Sequence, residues 1–473
     1  MNPSCKAEVK MKKDTAPVLL TEGNLFKRIL SFAIPVMLTN MLQMFLTTMD
    51  SFVIGQFCGS DDLGAVGCAS PIVSLIVNIL LGISTGTAVC IAQSVGSGSK
   101  RDTYEIVHTS IATALICGVF FGVVGFAMSR PALVWTNCPA RMLEGATSYL
   151  RIYFLGMPFA MLYNFGAAIL RAVGDTKRPL YYMLIAGVVN IGFNLFFVLV
   201  CHMGIAGVAL GTIMSQLCAS ALVCRYLTKT NEVFRLELKK IRIFPQKLAR
   251  ILRVGIPSGM QSSVYCVSNI VIQSSVNSLG PAVVTGASAQ GNYEAFVSVA
   301  MTSFAQTAIT FVAQHMGARK YKRMNRCIAV CIGAVSVISL VLNGLIWTFR
   351  DPLLRVFIVD NEAAIVEAVT RMSVICPFHI FCGMLDVFSG SVQGLGASVS
   401  STSVSLAGTC GLRLLWVATV FRYATENRAL TLFAIYPISW ICSLIAMIIL
   451  FFFMRSRIIK RNGPEEEPEA SEK

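Results

Sequence analysis

Apolar residues fall into twelve long blocks, each set off from the next by charge, glycine or proline. The blocks lie near 26–54, 64–95, 104–128, 145–170, 179–200, 204–227, 248–277, 282–314, 325–349, 363–390, 400–421 and 430–454. About 20 predominantly apolar residues span a bilayer as a helix, so each block is long enough to cross. The longer ones imply tilt or protrusion rather than a particular angle. Only Gly204, and Gly394-Leu-Gly396, separate blocks 5 from 6 and 10 from 11. The pattern predicts an all-α polytopic membrane protein with twelve transmembrane helices.

The blocks repeat. Arg-Ile-Leu-x-x-x-Ile-Pro runs from Arg28 to Pro35 and again from Arg250 to Pro257, 222 residues on. Ala-Gln-x-x-Gly closes block 2 at Ala92 to Gly96 and recurs at Ala313 to Gly317, an offset of 221. Pro158 pairs with Pro377 at 219, and Gly174 with Gly396 at 222. Six spans return the chain to its starting side, so the halves are two six-helix parallel repeats related by an axis along the membrane normal. The expected organisation is an N-terminal tail (1–24), an N-lobe (25–228), a basic linker (229–247), a C-lobe (248–455) and an acidic, disordered tail (456–473).

Composition sharpens the class. Of 473 residues, 55% are hydrophobic and 13% charged, about half the charge of a typical soluble domain. The net charge of +15 flanks the apolar blocks and carries no nucleic-acid motif, so it reads as a topology signal and no nucleic-acid partner is expected. With the N-terminus inside, cytoplasmic segments and block ends are assigned 30 of the 39 Lys and Arg residues, external ones eight, Arg371 among them, and Arg413 alone is placed deep within a block. That asymmetry puts both termini in the cytoplasm of a plasma-membrane protein. Sixteen cysteines without a Cys-x-x-Cys pair, and four histidines without zincin spacing, indicate neither a disulfide framework nor a resident metal. The absence of Walker A, His-Glu-x-x-His and Gly-x-Ser-x-Gly sequences argues against an ATP-driven pump or an enzyme. An ion gradient is then the expected energy source.

Three carboxylates lie well inside the blocks: Asp50, Glu294 and Asp386. An acid at mid-membrane costs about 2.5–3.5 kcal/mol on insertion scales and is a functional candidate by default. Three acids against Arg413 favour a cation or cationic solute. Asn190 and Asn194 share a helix face in block 5, with Thr212 in block 6 and Asn164 in block 4. Carboxylate, amide and hydroxyl oxygens suit H⁺ or Na⁺ rather than a soft metal. The repeat aligns Asp50 with Ile272 and Asn194 approximately with Arg413, so this group belongs to the N-lobe alone. In the C-lobe, Arg413 is expected to pair with Asp386, the alternative being a cationic-substrate role for that acid. His379 and Asp386 share a face, and a packed histidine is favoured there over a proton relay.

Nearly the whole chain, from about 25 to 455, resembles the multidrug and toxic compound extrusion (MATE) family. The likeness rests on Ile34-Pro35 with Thr48-Met-Asp50-Ser-Phe, Ala92-Gln-Ser-Val-Gly96 and Asn190-Ile-Gly-Phe-Asn194. Its most specific segment is Leu170-Arg-Ala-Val-Gly-Asp-Thr-Lys-Arg-Pro179, and Ala313-Gln-His-Met-Gly317 and Asp386 to Gly394 carry it into the second lobe. The resemblance implies an alternating-access antiporter that exports organic, often cationic or amphiphilic, compounds against H⁺ or Na⁺. In the DinF-like branch it implies a coupling cation at Asp50, with Asn190, Asn194, Thr212 and Asn164 around it. Asn194 stands where that branch usually has a second acid. Tyr265 stands where the NorM-like branch has a glutamate, which favours the DinF-like branch, and Gln393 stands where related sequences often have Arg.

Candidate cavity residues are Glu294, Asp386, Arg413, Tyr265 and Gln43, with Pro35 and Pro257 as hinges. The expected partners are small organic substrates and the bilayer, around a monomer that needs no cofactor beyond the coupling ion. A lipid-linked precursor flippase and a membrane-embedded enzyme are the alternatives. The first needs several cavity-facing cations, the second clustered catalytic groups.

Overall fold

The computed structural model describes residues 20–358, 361–423, 425 and 427–463. Most of the expected tails, 1–19 and 464–473, therefore lie outside the described residues. The described chain is helical throughout, with no strand. The N-lobe comprises α1 (Leu25–Phe57), α2 (Ser60–Gly96), α3 (Lys100–Trp135), α4 (Ala140–Leu155), α5 (Met157–Ala172), α6 (Lys177–Leu195) and α7 (Gly204–Lys229). The C-lobe comprises α8 (Pro245–Asn277), α9 (Pro281–Gly317), α10 (Tyr321–Thr348), α11 (Arg350–Phe357), α12 (Glu362–Gly394), α13 (Ser398–Ser405), α14 (Leu412–Trp416), α15 (Arg428–Phe433) and α16 (Ile435–Asn462).

Among the described residues, ten helical stretches are long and apolar enough to cross a bilayer. The pair α4–α5, bent by 48° at Gly156, makes an eleventh. The remaining expected span, α8, has the length but not the hydropathy, because Lys247, Arg250 and Arg253 occupy its start and Gln261, Ser262 and Ser263 its middle. α11 is a short helix not foreseen in the sequence. α16 runs seven residues past the expected end of the C-lobe, to Asn462.

Geometry repeats with the sequence. Positive φ recurs at Gly59 (102°) and Gly280 (105°), and at Gly174 (92°) and Gly396 (84°), turns that a side chain would strain. A π-helical segment at 196–200 recurs at 417–421.

The lobes meet through small residues. A Cβ placed on Gly82 of α2 would lie 2.1 Å from the backbone nitrogen of Gly259 in α8, and one on Gly86 would lie 2.3 Å from the Ile251 carbonyl. The two copies of the repeated Ala-Gln motif close on each other in the same way. A Cβ on Gly96 would sit 2.0 Å from the Gln314 carbonyl, and one on Gly317 would sit 2.0 Å from the Gln93 carbonyl. Lipid tails are as apolar as leucine, so helices in a membrane associate by close packing, and small residues permit it.

Both glutamines then cap the opposite lobe. Gln93 Nε2 donates to Gly394 O at 2.8 Å, and Gln314 Nε2 donates to Ala172 O at 2.7 Å. Gly394 and Ala172 are also 222 residues apart, so the bonds are a symmetric pair. Each satisfies a carbonyl that a helix C-terminus leaves open.

The opening helix of each lobe crosses into the other. Ile29, Phe32, Ala33 and Val36 of α1 pack with Phe304, Phe311 and Val312 in the C-lobe core, while Leu46 packs in the N-lobe core. Ile251 and Val254 of α8 pack in the N-lobe core, and Ile272 and Val276 pack with Leu432 and Phe433 in the C-lobe. The lobe boundaries expected at 25 and 248 thus divide the chain but not the packing. The described end of the tail and the linker are likewise docked. Leu20 is buried in the C-lobe core, and its N–H donates to Gln314 Oε1 at 3.1 Å. Phe234 and Leu236 pack into the N-lobe core, and the Glu237 N–H donates to His108 Nε2 at 3.1 Å.

α1 and α8 remain continuous helices through Pro35 and Pro257. The Thr39 hydroxyl donates to Pro35 O at 2.8 Å, and the Thr402 hydroxyl donates to Pro257 O at 2.9 Å. Gly82→Val should lower the thermal unfolding midpoint of the detergent-solubilised protein by several degrees. Overpacking against fixed backbone costs about 1–3 kcal/mol. Gly67→Val, whose Cβ meets nothing within 4 Å, should leave the midpoint within experimental scatter.

Candidate functional site

Three N-lobe helices bring the proposed oxygen ligands together. Asp50 lies on the half of α1 that packs in its own lobe. Asn194 Nδ2 donates to Asp50 Oδ1 at 2.6 Å, and the Thr212 hydroxyl approaches Asp50 Oδ2 at 3.3 Å. Asn194 Nδ2 also lies 3.4 Å from Asn190 Oδ1, one turn earlier on α6. Asn190 and Asn194 are both almost fully buried. The approach of α7 to α6 is set at Gly211, where a Cβ would lie 2.0 Å from Asn194 Oδ1. That Oδ1 atom is buried without a hydrogen-bond partner, so the group holds an acceptor open to one more donor or cation.

Asn164 does not join the group. Its side-chain amide donates to Ala160 O at 2.9 Å, within its own helix. Two residues that the sequence reading missed stand near Asp50 instead. Tyr149 and Tyr153 stack with ring centroids 6.2 Å apart, within electrostatic range of Asp50. Tyr153 also lines a small cleft with Thr212, Ile213 and Gln216. Their signal was weak because α4 looked like ordinary apolar span, and the bend at Gly156 that turns it toward α7 has no strong sequence mark. At the repeat-equivalent position of Asp50, Ile272 is buried among Leu432 and Phe433.

The C-lobe candidates separate. Glu294 pairs with Arg371, Nη2 to Oε2 at 2.8 Å, and both side chains are largely buried. Arg371 also donates to Ala287 O and lies over the rings of Phe433 and Tyr436. The sequence reading counted Arg371 as external, so it overstated the negative charge of the interior. The expected Arg413–Asp386 ion pair does not occur among the described residues. The Arg413 guanidinium instead lies 3.2 Å from Ser439 Oγ and 3.4 Å from Asn269 Oδ1, over the Tyr436 ring at 4.6 Å. An Asn carbonyl and two hydroxyl-bearing residues hold it without a carboxylate.

Tyr265 faces Gln261, Ser405 and Thr409, with Asp386 nearby. His379 packs against Trp440, ring centroids 5.4 Å apart, with Asn343 Oδ1 at 3.4 Å. The Gln43 side chain is exposed on α1.

Glu294→Ala leaves Arg371 buried and unpaired, and removing one member of a buried pair costs about 3 kcal/mol. The thermal midpoint should fall clearly. The Glu294→Ala/Arg371→Leu double variant should regain more than half of that loss in a double-mutant cycle.

Comparison with known proteins agrees with this architecture. The MatE family model matches residues 35–196 and again 257–418, the same 222-residue offset that the motifs show. The chain is 30% identical over 398 residues to the probable multidrug resistance protein YpnP of Bacillus subtilis, covering 84% of this chain and 89% of that one. It is 23% identical over 457 residues to the multidrug export protein MepA of Staphylococcus saprophyticus, covering 94% and 98%. An outward-facing multidrug resistance MATE family transporter of the MOP superfamily shares the fold, with a TM-score of 0.86 at 21% identity over 95% of this chain and 100% of that one. The chain belongs to the MatE family, the multidrug and toxic compound extrusion transporters that its sequence resembles.

Proposed function

We propose that this transporter exports organic compounds, cationic or amphiphilic, in exchange for H⁺ or Na⁺ bound at Asp50. The observation that carries the reading is the Asp50 group itself: one carboxylate held by Asn194 and Thr212, backed by Asn190, in one lobe of a two-lobe repeat. An ionisable group within a membrane span is retained for a reason. Here its neighbours are neutral oxygens suited to a hard cation. A single carboxylate matches one charge per cycle, worth about 2.3 kcal/mol per 100 mV. Asp50 with its amide partners, and Tyr265 in α8, favour the DinF-like branch. The names of the relatives support drugs as the exported class.

Lobe contacts support alternating access. On α2 they run from Leu75–Ser263, against α8, down to the Gly96–Gln314 seam against α9. This is the end to which the sequence assigns the excess of Lys and Arg, and by the positive-inside rule it is cytoplasmic in the plasma membrane. The protein is then sealed inside and open outside. α1 transmits the coupling, because Asp50 sits on its N-lobe half while residues 29–36 are held in the C-lobe core. Cation binding at Asp50 shifts α1 near Pro35, displaces the substrate and lets the lobes rock inward. An ion that bound both states equally would drive nothing, so the Asp50 group must differ between them. A monomer suffices, since each lobe completes the other's core.

Efflux into proteoliposomes tests this. Asp50→Asn should reduce gradient-driven transport to the passive leak while the protein still folds. Full driven efflux in that variant would remove Asp50 from the mechanism. In the wild type, a Na⁺ gradient at fixed pH and a pH gradient without Na⁺ should give unequal rates, and the faster identifies the coupling ion.

A further inference from the structure

Between the lobes, above the glutamine seam, lies a cavity of about 510 Å³ including its mouth. α2 contributes Ser84 and Thr85, α9 contributes Gln306 and Thr310, and α5 contributes Arg171. The cavity lies on the repeat axis, because Thr85 and Gln306, and likewise Ala88 and Ile309, are partners at an offset of 221. Arg171 breaks this symmetry. Its counterpart 222 residues on is Gln393, whose Oε1 accepts from the Ser258 hydroxyl at 3.3 Å.

The guanidinium is unlike the other cations buried in the lobes. Arg371 has Glu294, Arg413 has Asn269 and Ser439, and Arg250 Nη2 donates to Gln93 Oε1 at 2.6 Å. No hydrogen bond or ion pair joins Arg171 to another described residue, and the ionisable group beside it is the Tyr163 phenol, not a carboxylate. A fork of five N–H donors therefore faces a cavity between the lobes, where an unpaired charge held away from bulk water is costly. The Gln306 amide adds donors, while the Thr85 and Thr310 hydroxyls already donate to backbone carbonyls on their own helices. Leu81, Ala88, Ala168 and Ile309 make the remaining wall apolar.

We propose that this inter-lobe cavity binds the anionic group of an amphiphile, a carboxylate, sulfonate or phosphate seated on Arg171 with its apolar body against the aliphatic wall. Arginine suits such groups because its planar fork pairs two oxygens at once. The proposal rests on the reading of the chain as an exporter of organic solutes and widens the exported class to compounds that carry an anion. It also separates two charges by lobe architecture: the coupling cation at Asp50 within the N-lobe, and the substrate anion on the axis between lobes.

The test is equilibrium binding of fluorescent 1-pyrenebutyrate and its neutral amide to the full chain in zwitterionic-lipid nanodiscs. The wild type should hold the carboxylate at least about 10-fold tighter than the amide, since a charge-assisted pair contributes that much. Arg171→Gln copies the residue that the C-lobe carries at the equivalent position. It should abolish the preference, bringing carboxylate binding down to the level of the amide, and Arg171→Lys should retain part of the preference. Equal affinities in the wild type, or a preference that survives Arg171→Gln, would overturn the proposal. Adding phosphatidylglycerol to the nanodiscs identifies the source of the anion: displacement of the probe assigns a lipid headgroup to the site, and its persistence assigns a diffusible solute. No ion gradient is present, so failure here leaves the Asp50 coupling standing, and failure of that coupling leaves this binding intact.

Discussion

The two lobes are held by backbone pressed against backbone, and the rest of the structure depends on that contact. At Gly82–Gly259 and at the Gly96–Gly317 seam there is no room for a single added carbon. In a bilayer such closeness is a main source of attraction between helices, because apolar surface gains little by leaving lipid. The Gln93 and Gln314 bonds add direction rather than much energy, since interhelical hydrogen bonds in membranes average about 0.6 kcal/mol. A joint made of many weak contacts and few strong ones can part without one large barrier. That property suits the alternating-access cycle proposed above, in which the lobes part at this end.

The same joint explains why α1 matters more than its length suggests. Half of it belongs to each lobe, and so does half of α8. Movement of one lobe against the other must therefore bend or slide these helices. Pro35 lies on the half of α1 that is anchored in the C-lobe, and Asp50 on the half anchored in the N-lobe. Proline removes one helical hydrogen bond, which makes that half the compliant one. A change at Asp50 then reaches the C-lobe through one continuous element, with no chain of intermediaries.

Much of this was legible in the sequence, and the reason is physical. Bilayer thickness fixes block length, and duplication fixes offset, so twelve blocks and a 222-residue repeat are written in composition and order. The Asp50 group was legible because Asn190 and Asn194 share a helix face and because an intramembrane acid needs partners. Asn164 was included on residue type and family resemblance, and its amide turned to the backbone of its own helix instead. Sequence periodicity says which face of a helix is polar but not which helix it meets. Hence Arg371 was counted as external although it pairs with Glu294, and Arg413 was assigned a carboxylate although Asn269, Ser439 and Tyr436 hold it. The crossing of α1 into the opposite lobe left no mark either, since a buried face reads alike whichever lobe buries it.

Arg171 shows the same limit from the other direction. It follows the end of an apolar block and was counted with the basic residues that set topology. The fold places it inside instead, because the next residue, Ala172, is where Gln314 of the opposite lobe closes the seam. The Arg171 side chain lines the cavity between the lobes. Its charge is thereby turned toward the axis, at the level where the lobes part. Duplication supplied two equivalent positions there, and the chain kept a cation in one and an amide, Gln393, in the other. The Asp50 group is divided in the same manner, with Ile272 opposite it. Symmetry builds the scaffold, and the charged departures from it at Asp50 and Arg171 each mark one lobe off from the other.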